Sequence, residues 1–236
     1  MNRLAALAYS FLSSVAFVLS LIYFTYFYAI RLHDTTNSPG SPIANLAFNV
    51  GLFTIFAGHH SLMARTGAKR WLARFVRTDL ERSTYVWVAS ILFTLTCFFW
   101  RDLPGSAYVA SGWLRPACFA VQLSGVALIV WAVSVLDVLA LAGIRQVEPS
   151  WSADKDSSLR VRGPYHWIRH PIYLGWILAM FGAPDMPSGR LAFAIMSTAY
   201  LTLAIPWEER SMMNTFGHGY RRYVARVRWR MIPWLY

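Results

Sequence analysis

The run LAALAYSFLSSVAFVLSLIYFTYFYAI, Leu4 to Ile30, holds 27 consecutive residues without a charge and follows directly on Arg3. As a helix it would rise about 40 Å, more than the roughly 30 Å of a bilayer's hydrocarbon layer. It is longer than a signal-peptide core of roughly 7 to 15 residues and no obvious cleavage site follows, so it reads as a retained first span. Further apolar runs cover Ile43–Met63, Tyr85–Trp100 and Trp113–Ala142, the second of these three being short for a crossing.

The next apolar region, Ile172 to Pro206, is interrupted by Pro184-Asp185-Met186-Pro187-Ser188-Gly189-Arg190. A continuous helix does not tolerate that composition, so the region reads as a helical hairpin with arms near 172–184 and 190–206. The fold class is thus an all-α integral membrane protein with five to six transmembrane helices, the C-terminal hairpin included. Composition agrees: 56% of the 236 residues are hydrophobic and 14% charged, against roughly 25% charged in soluble domains. Cys97 and Cys118 lack the paired spacing of metal sites or disulfide frameworks and are expected as buried thiols.

A net charge of +11 in a soluble chain would suggest nucleic acid, but here the cations fall between apolar runs and act as topology signals, so no nucleic-acid partner is expected. With six crossings and a cytoplasmic N-terminus, Arg3, Arg65, Lys69, Arg70, Arg74, Arg77, Arg82, Arg145, Lys155, Arg160, Arg162, Arg169 and the six arginines after residue 206 lie inside. Only Arg31, Arg101, Arg115 and Arg190 lie outside. The expected location is a bacterial inner membrane, multi-pass, with both termini cytoplasmic. A polar loop at 148–162 divides a scaffold of residues 1–147 from a chemical region at 163–236. The arginine- and aromatic-rich stretch from Gly219 to Tyr236 suits the headgroup boundary.

Ionisable residues that persist at a membrane boundary are costly, which makes their clusters functional candidates. Arg162-Gly163-Pro164-Tyr165 and Arg169-His170-Pro171-Ile172-Tyr173-Leu174-Gly175 open a helix at His170 or Pro171. Its free amides and positive dipole end would suit a carboxylate or phosphate, with Arg169 adding charge; the plainer reading is an anchor, a cap and an interface aromatic. Pro206-Trp207-Glu208-Glu209-Arg210 puts two acids at the end of the last apolar arm, projecting about 100° apart. One can face an ammonium, sulfonium or ribose hydroxyl while the other pairs with an arginine such as Arg210, or both simply end a solvated helix.

The third cluster is Gly58-His59-His60-Ser61 with Glu81-Arg82-Ser83-Thr84-Tyr85. A histidine there could accept a proton from a thiol, or be an interfacial residue without chemistry. Adjacent histidines do not share one helix face as His-x-x-x-His would, and no acidic or cysteine ligand lies at helical spacing, so no metal is expected. Asp137, deep in the fourth apolar run, needs a partner; Arg145 and Gln146 mark the same helix about two turns on.

The ordered set Gly163-Pro164-Tyr165, Arg169-His170-Pro171-x-Tyr173-Leu174-Gly175, Glu208-Glu209 and Phe216-Gly217-x-x-Tyr220-x-x-Tyr223 resembles the isoprenylcysteine carboxyl methyltransferase superfamily. His60-Ser61-x-Met63-Ala64-Arg65, Lys69-Arg70-Trp71, Glu81-Arg82-Ser83-Thr84-Tyr85-Val86 and Gly143-x-Arg145-Gln146 look like its NnrU-like branch, and within it the methanethiol S-methyltransferases. The resemblance implies S-adenosyl-L-methionine as methyl donor, a small thiol as substrate, dimethyl sulfide as product and a cytosolic-facing cofactor site. It implies a cofactor cradle of Tyr165, Arg169, His170, Tyr173, Leu174, Glu208 and Glu209 in the 163–236 region, Glu209 taking a ribose hydroxyl or the amino group. His60, Arg82 and Tyr85 are then the candidates for generating the thiolate.

Two alternatives stand beside it: methylation of a prenylated carboxylate or a phospholipid headgroup by the same superfamily, and a small membrane transporter or accessory protein without catalysis. A reporter fused after Tyr236 is expected in the cytoplasm; a signal from the opposite compartment would overturn the orientation.

Overall fold

The computed structural model describes residues 2–33, 40–63, 72–147, 159 and 161–236. Arg65, Lys69, Arg70, Trp71, Lys155, Arg160 and nearly all of the expected polar loop lie outside the described residues. The chain forms two compact units, Met1–Gly105 with Asp137–Lys155, and Ser106–Leu136 with Asp156–Tyr236.

The first unit is built on α1 (Arg3–Ala29), α2 (Pro42–Met63) and α3 (Glu81–Phe98). Over its first two-thirds α1 turns the soluble-protein pattern inside out, while Phe24, Phe27 and Tyr28 are buried near its end. Ala6, Ser10, Ser13 and Ser20 are buried, while Phe11, Val18 and Ile22 are exposed, as expected where lipid replaces water and small residues let helices approach. The serine hydroxyls do not cost an unmet hydrogen bond, because Ser13 Oγ donates to Ser10 O at 2.8 Å and Ser20 Oγ to Phe17 O at 2.7 Å.

Contacts from Ser10–Ser83 at 2.6 Å to the Phe24–Phe93 ring pair at 5.3 Å run α1 and α3 parallel. α2 runs against them, with His60 beside Tyr85 at one end and the Asn49 amide bonded to Arg101 O at the other, 2.8 Å. At that far end Arg31 donates to the carbonyls of Cys97, Phe98 and Trp100 at 2.6 to 2.9 Å, capping α3.

The fourth apolar run is not one helix through Ala142. α4 (Leu114–Ser134) stops, and Asp137 caps a short α5 (Val138–Leu141) by accepting the Ala140 amide at 3.0 Å. Arg145, expected further along the same helix, returns across the turn to pair with Asp137 at 2.9 Å. The acid therefore stands at a helix N-terminus, where its charge is favoured.

In the second unit α4 packs antiparallel on α6 (Pro171–Phe181), which continues into α7 (Ser188–Phe216) and α8 (His218–Arg226). The α4–α6 contact is made by glycines: a Cβ on Gly125 would lie 2.5 Å from Ala179 N and from Gly175 O. The expected hairpin is present, but Pro184–Arg190 is more than a turn. Asp185–Pro187 forms a strand paired antiparallel with Ser106–Val109, and the buried Asp185 is gripped bidentately by Arg115 at 2.9 and 3.0 Å.

The second arm was expected to end at Pro206. α7 instead runs through that proline to Phe216, so Glu208 and Glu209 lie within the helix, not at its end. The proline removes one interior backbone bond, which the turns on either side outlast. Gly217, at φ +50°, breaks α7 from α8, a backbone conformation that favours glycine.

Among the described residues, four helices are long and apolar enough to cross a membrane: α1, α2, α4 and α7. α3 has 18 residues and lies along α1; α6, with 11, rises about 16 Å and is too short to cross alone. The protein is an all-α membrane protein. Gly125→Leu should lower thermal stability in detergent by about 2 kcal/mol through overpacking against α6, whereas the same change at Gly51, whose Cβ meets nothing within 4 Å, should cost little.

Candidate active site

In the second unit the residues before α6 are set by two local constraints. Gly163 (φ +54°) opens a short 3-10 turn, Gly163–His166, where a Cβ would come within 3.1 Å of the Trp131 indole nitrogen. Pro171 takes the first position of α6, where no amide donor is required. Between them the amides of Arg169 and His170 donate to the carbonyls of Trp229 and Arg230, at 3.0 and 2.7 Å. The C-terminal segment is thereby laid against the start of α6.

Glu209 is the centre of this cluster. Its side chain is 7% exposed and Arg169 beside it 5%. Arg169 Nε donates to Oε1 at 2.6 Å, His170 Nε2 lies 3.4 Å from the same oxygen, and Arg230 Nε donates to Oε2 at 3.2 Å. The rest of the Arg169 guanidinium donates to Val227 O and Arg228 O at 2.7 and 2.8 Å. Arg230 continues outward to the Tyr236 hydroxyl at 3.1 Å. Arg210, the arginine expected to pair with one of the acids, is exposed, and Arg169 and Arg230 take that place.

Glu208 differs sharply from its neighbour. The Tyr173 hydroxyl donates to Oε1, His170 Nδ1 lies 3.7 Å from Oε2, and the side chain is 42% exposed. The His170 and Tyr173 rings stack with centroids 5.3 Å apart. Adjacent acids on one helix have thus been separated into a buried, cation-saturated group and an open one. Arg169 and the first amides of α6 were expected to be available to a ligand; Arg169 is engaged, and the Tyr173 and Leu174 amides return to His170 O at 3.1 and 3.2 Å.

Tyr165 packs in the 3-10 turn and its carbonyl accepts the Tyr223 hydroxyl at 2.9 Å. Burial pushes the Tyr165 hydroxyl up to about 12, and burial together with the nearby Glu209 carboxylate pushes Tyr220 to about 12. Both stay protonated donors at neutral pH. The Leu174 side chain is half-buried.

In the first unit His60, Arg82 and Tyr85 come together. The Tyr85 hydroxyl lies 2.7 Å from His60 Nδ1, and the Arg82 guanidinium sits 5.2 Å over the Tyr85 ring while its Nε donates to Leu141 O at 2.8 Å. His59, set aside because neighbours on a helix diverge, stacks against the same ring with centroids 6.1 Å apart. The wide phenol face of Tyr85 reaches both positions.

The sequence reading missed Arg230, Tyr236 and the carbonyls of Val227 and Arg228. A signal was present: Arg226, Arg228 and Arg230 alternate with Val227, Trp229 and Met231, a period of two that marks extended backbone. Removing one partner of a buried charge pair leaves the other uncompensated. Glu209→Ala should therefore destabilise the protein by about 3 kcal/mol, and Arg230→Gln, which leaves Arg169 and His170 on Glu209, by distinctly less, as read from melting curves in detergent.

No family profile matches the chain, and no solved structure matches it. Curated proteins do. The chain is 34% identical over 230 residues to methanethiol S-methyltransferase 2 of Bradyrhizobium diazoefficiens, covering 95% of this chain and 89% of that protein. It is 36% identical over 189 residues to the methanethiol S-methyltransferase of Mycobacterium tuberculosis, covering 79% and 77%. A more partial likeness, 32% over 169 residues, links it to Nurim of Xenopus laevis, covering 67% of this chain and 59% of Nurim. With that extent of identity along nearly its whole length, the chain belongs to the methanethiol S-methyltransferase family.

Proposed function

We propose that this protein transfers the methyl group of S-adenosyl-L-methionine to the sulfur of methanethiol, giving dimethyl sulfide. The observation that carries the reading is the division of labour between the two acids, a buried Glu209 held by three nitrogen donors and a half-exposed Glu208 oriented by Tyr173. A donor bearing an ammonium, a sulfonium and a ribose diol needs a fixed carboxylate acceptor, and Glu208 is the one left open. The residues fit that group.

Glu208, not Glu209, is assigned the amino group or ribose hydroxyl, with Tyr165 as a neutral donor and Leu174 as apolar wall. Arg169, His170 and Glu209 hold Tyr173 and Glu208 in place. When bound, S-adenosyl-L-methionine supplies a methyl carbon already activated by its sulfonium, so the chain's own task is alignment and removal of the thiol proton.

His60 is assigned as the proton acceptor, with Tyr85 fixing its ring and Arg82 supplying a cation that favours the thiolate. His60 would take the thiol proton and pass it to water, and the thiolate would accept the methyl carbon of the bound donor, whose sulfur would leave as a neutral thioether. Family membership supports the reaction class, and the expected six-crossing topology, which puts 18 of the 22 basic residues on one side, supports a cytoplasmic donor site.

Purified protein given both substrates should release dimethyl sulfide into the headspace. His60→Ala should lower kcat by about 100-fold with donor affinity kept, and Glu208→Gln should weaken calorimetric binding of the demethylated cofactor by about 10-fold. Binding of that cofactor without dimethyl sulfide would redirect the acceptor; no binding at all would sink the donor site.

A further inference from the structure

The last 27 residues, Arg210 to Tyr236, contain six arginines and no acid. Arg169 and Arg230 belong to the Glu209 cluster, but Arg222 and Arg226 stand apart from it. They are exposed on α8, four positions apart and so about 6 Å from one another at Cβ. Among the described residues neither meets an acidic partner.

Both arginines border a groove of about 420 Å³ within the second unit, whose other walls are Leu159, Val161, Phe216, Gly219 and Tyr223. Its floor belongs to the cluster that packs Tyr220, Tyr223 and Val227 against Leu159, Val161 and Phe216. The combination is a trough with aliphatic and aromatic walls and, at its rim, two guanidinium groups that meet no acid among the described residues.

Depth in the membrane identifies what can fill it. α7 has 29 residues and rises about 43 Å, matching a bilayer with its headgroup layers at roughly 40 to 45 Å. Phe216, its last residue, lines the groove, so the groove stands where the span emerges among lipid phosphates. Trp234 and Leu235, 87% and 76% exposed, lie in the same acid-free segment, and indole rings favour that layer.

We propose that this groove binds an anionic phospholipid, its phosphate between Arg222 and Arg226 and its glycerol and upper acyl carbons along Leu159, Val161 and Phe216. Two arginines answer a phosphate whose negative charge is not balanced within the headgroup better than a zwitterion, whose ammonium they repel. The site is separate from Glu208 and Glu209 and does not depend on the methyltransfer reading.

The test is native mass spectrometry of the full chain in detergent, titrated with phosphatidylglycerol or with phosphatidylcholine. Phosphatidylglycerol should bind at least about 10-fold more tightly. Arg222→Gln with Arg226→Gln should lose about 30-fold, equivalent to ~2 kcal/mol for two surface charges.

Gly219→Leu keeps both arginines but fills the groove, since a Cβ there meets nothing within 4 Å, and should abolish the preference. The paired control Arg210→Gln with Arg221→Gln removes the same charge from outside the groove and should change affinity by less than about 3-fold. Equal loss in that control would reduce the effect to net charge and overturn the site. Competition by glycerol phosphate as effective as phosphatidylglycerol would also overturn it, as a soluble-anion site.

Discussion

A carboxylate 7% exposed inside a membrane protein cannot stay ionised without cations around it. Glu209 meets that demand from two places in the chain, with Arg169 ahead of α6 and Arg230 close to the C-terminus, and the neighbouring His170 ring lies 3.4 Å from its Oε1. Meeting it fixes the rest of that end of the unit. Arg169 draws the carbonyls of Val227 and Arg228 onto itself, the backbone of 229–230 pairs with the amides of 169–170, and His170 is turned so that its ring supports Tyr173. Glu208 inherits its orientation from this assembly although it makes none of the buried contacts.

The helices that carry the clusters are held by lipid-phase packing. Apolar side chains gain little by leaving lipid for a helix partner, so close approach and internal hydrogen bonds do the joining. Serines 10, 13 and 20 line the buried face of α1, and glycines 125, 175 and 182 bring α4 and α6 into backbone contact. The four arginines on the expected outer side each have a local use: Arg31 caps α3, Arg101 covers the Phe48 ring, and Arg115 and Arg190 secure Asp185.

The spans were legible because bilayer thickness sets a length that uncharged runs must match, as Leu4–Ile30 does. The helix start at Pro171 and the importance of the paired acids were legible for equally local reasons, proline chemistry and the cost of charge near lipid. What could not be read locally was which acid is buried, since that depends on Arg230 arriving from 21 residues away. Asp137 was misplaced because an apolar run does not reveal a turn inside it, and α7 was cut short because proline ends a helix only when packing on both sides does not sustain it. That His60, Arg82 and Tyr85 lie close together was legible from their shared membrane depth; the ring contact of His59 with Tyr85 was not, because spacing describes a helix in isolation and not the ring facing it.

Pro206 also gives α7 the mechanics of a jointed lever. The proline removes one interior backbone bond, and Thr202 directs its hydroxyl back to Thr198 O at 2.8 Å rather than bracing the joint. A bend of about 20° there would swing Phe216, ten residues beyond, by about 5 Å, but would shift Glu208 by only about 1 Å. Any such bend would therefore displace the helix end at the membrane surface far more than the acids, which sit close to the proline.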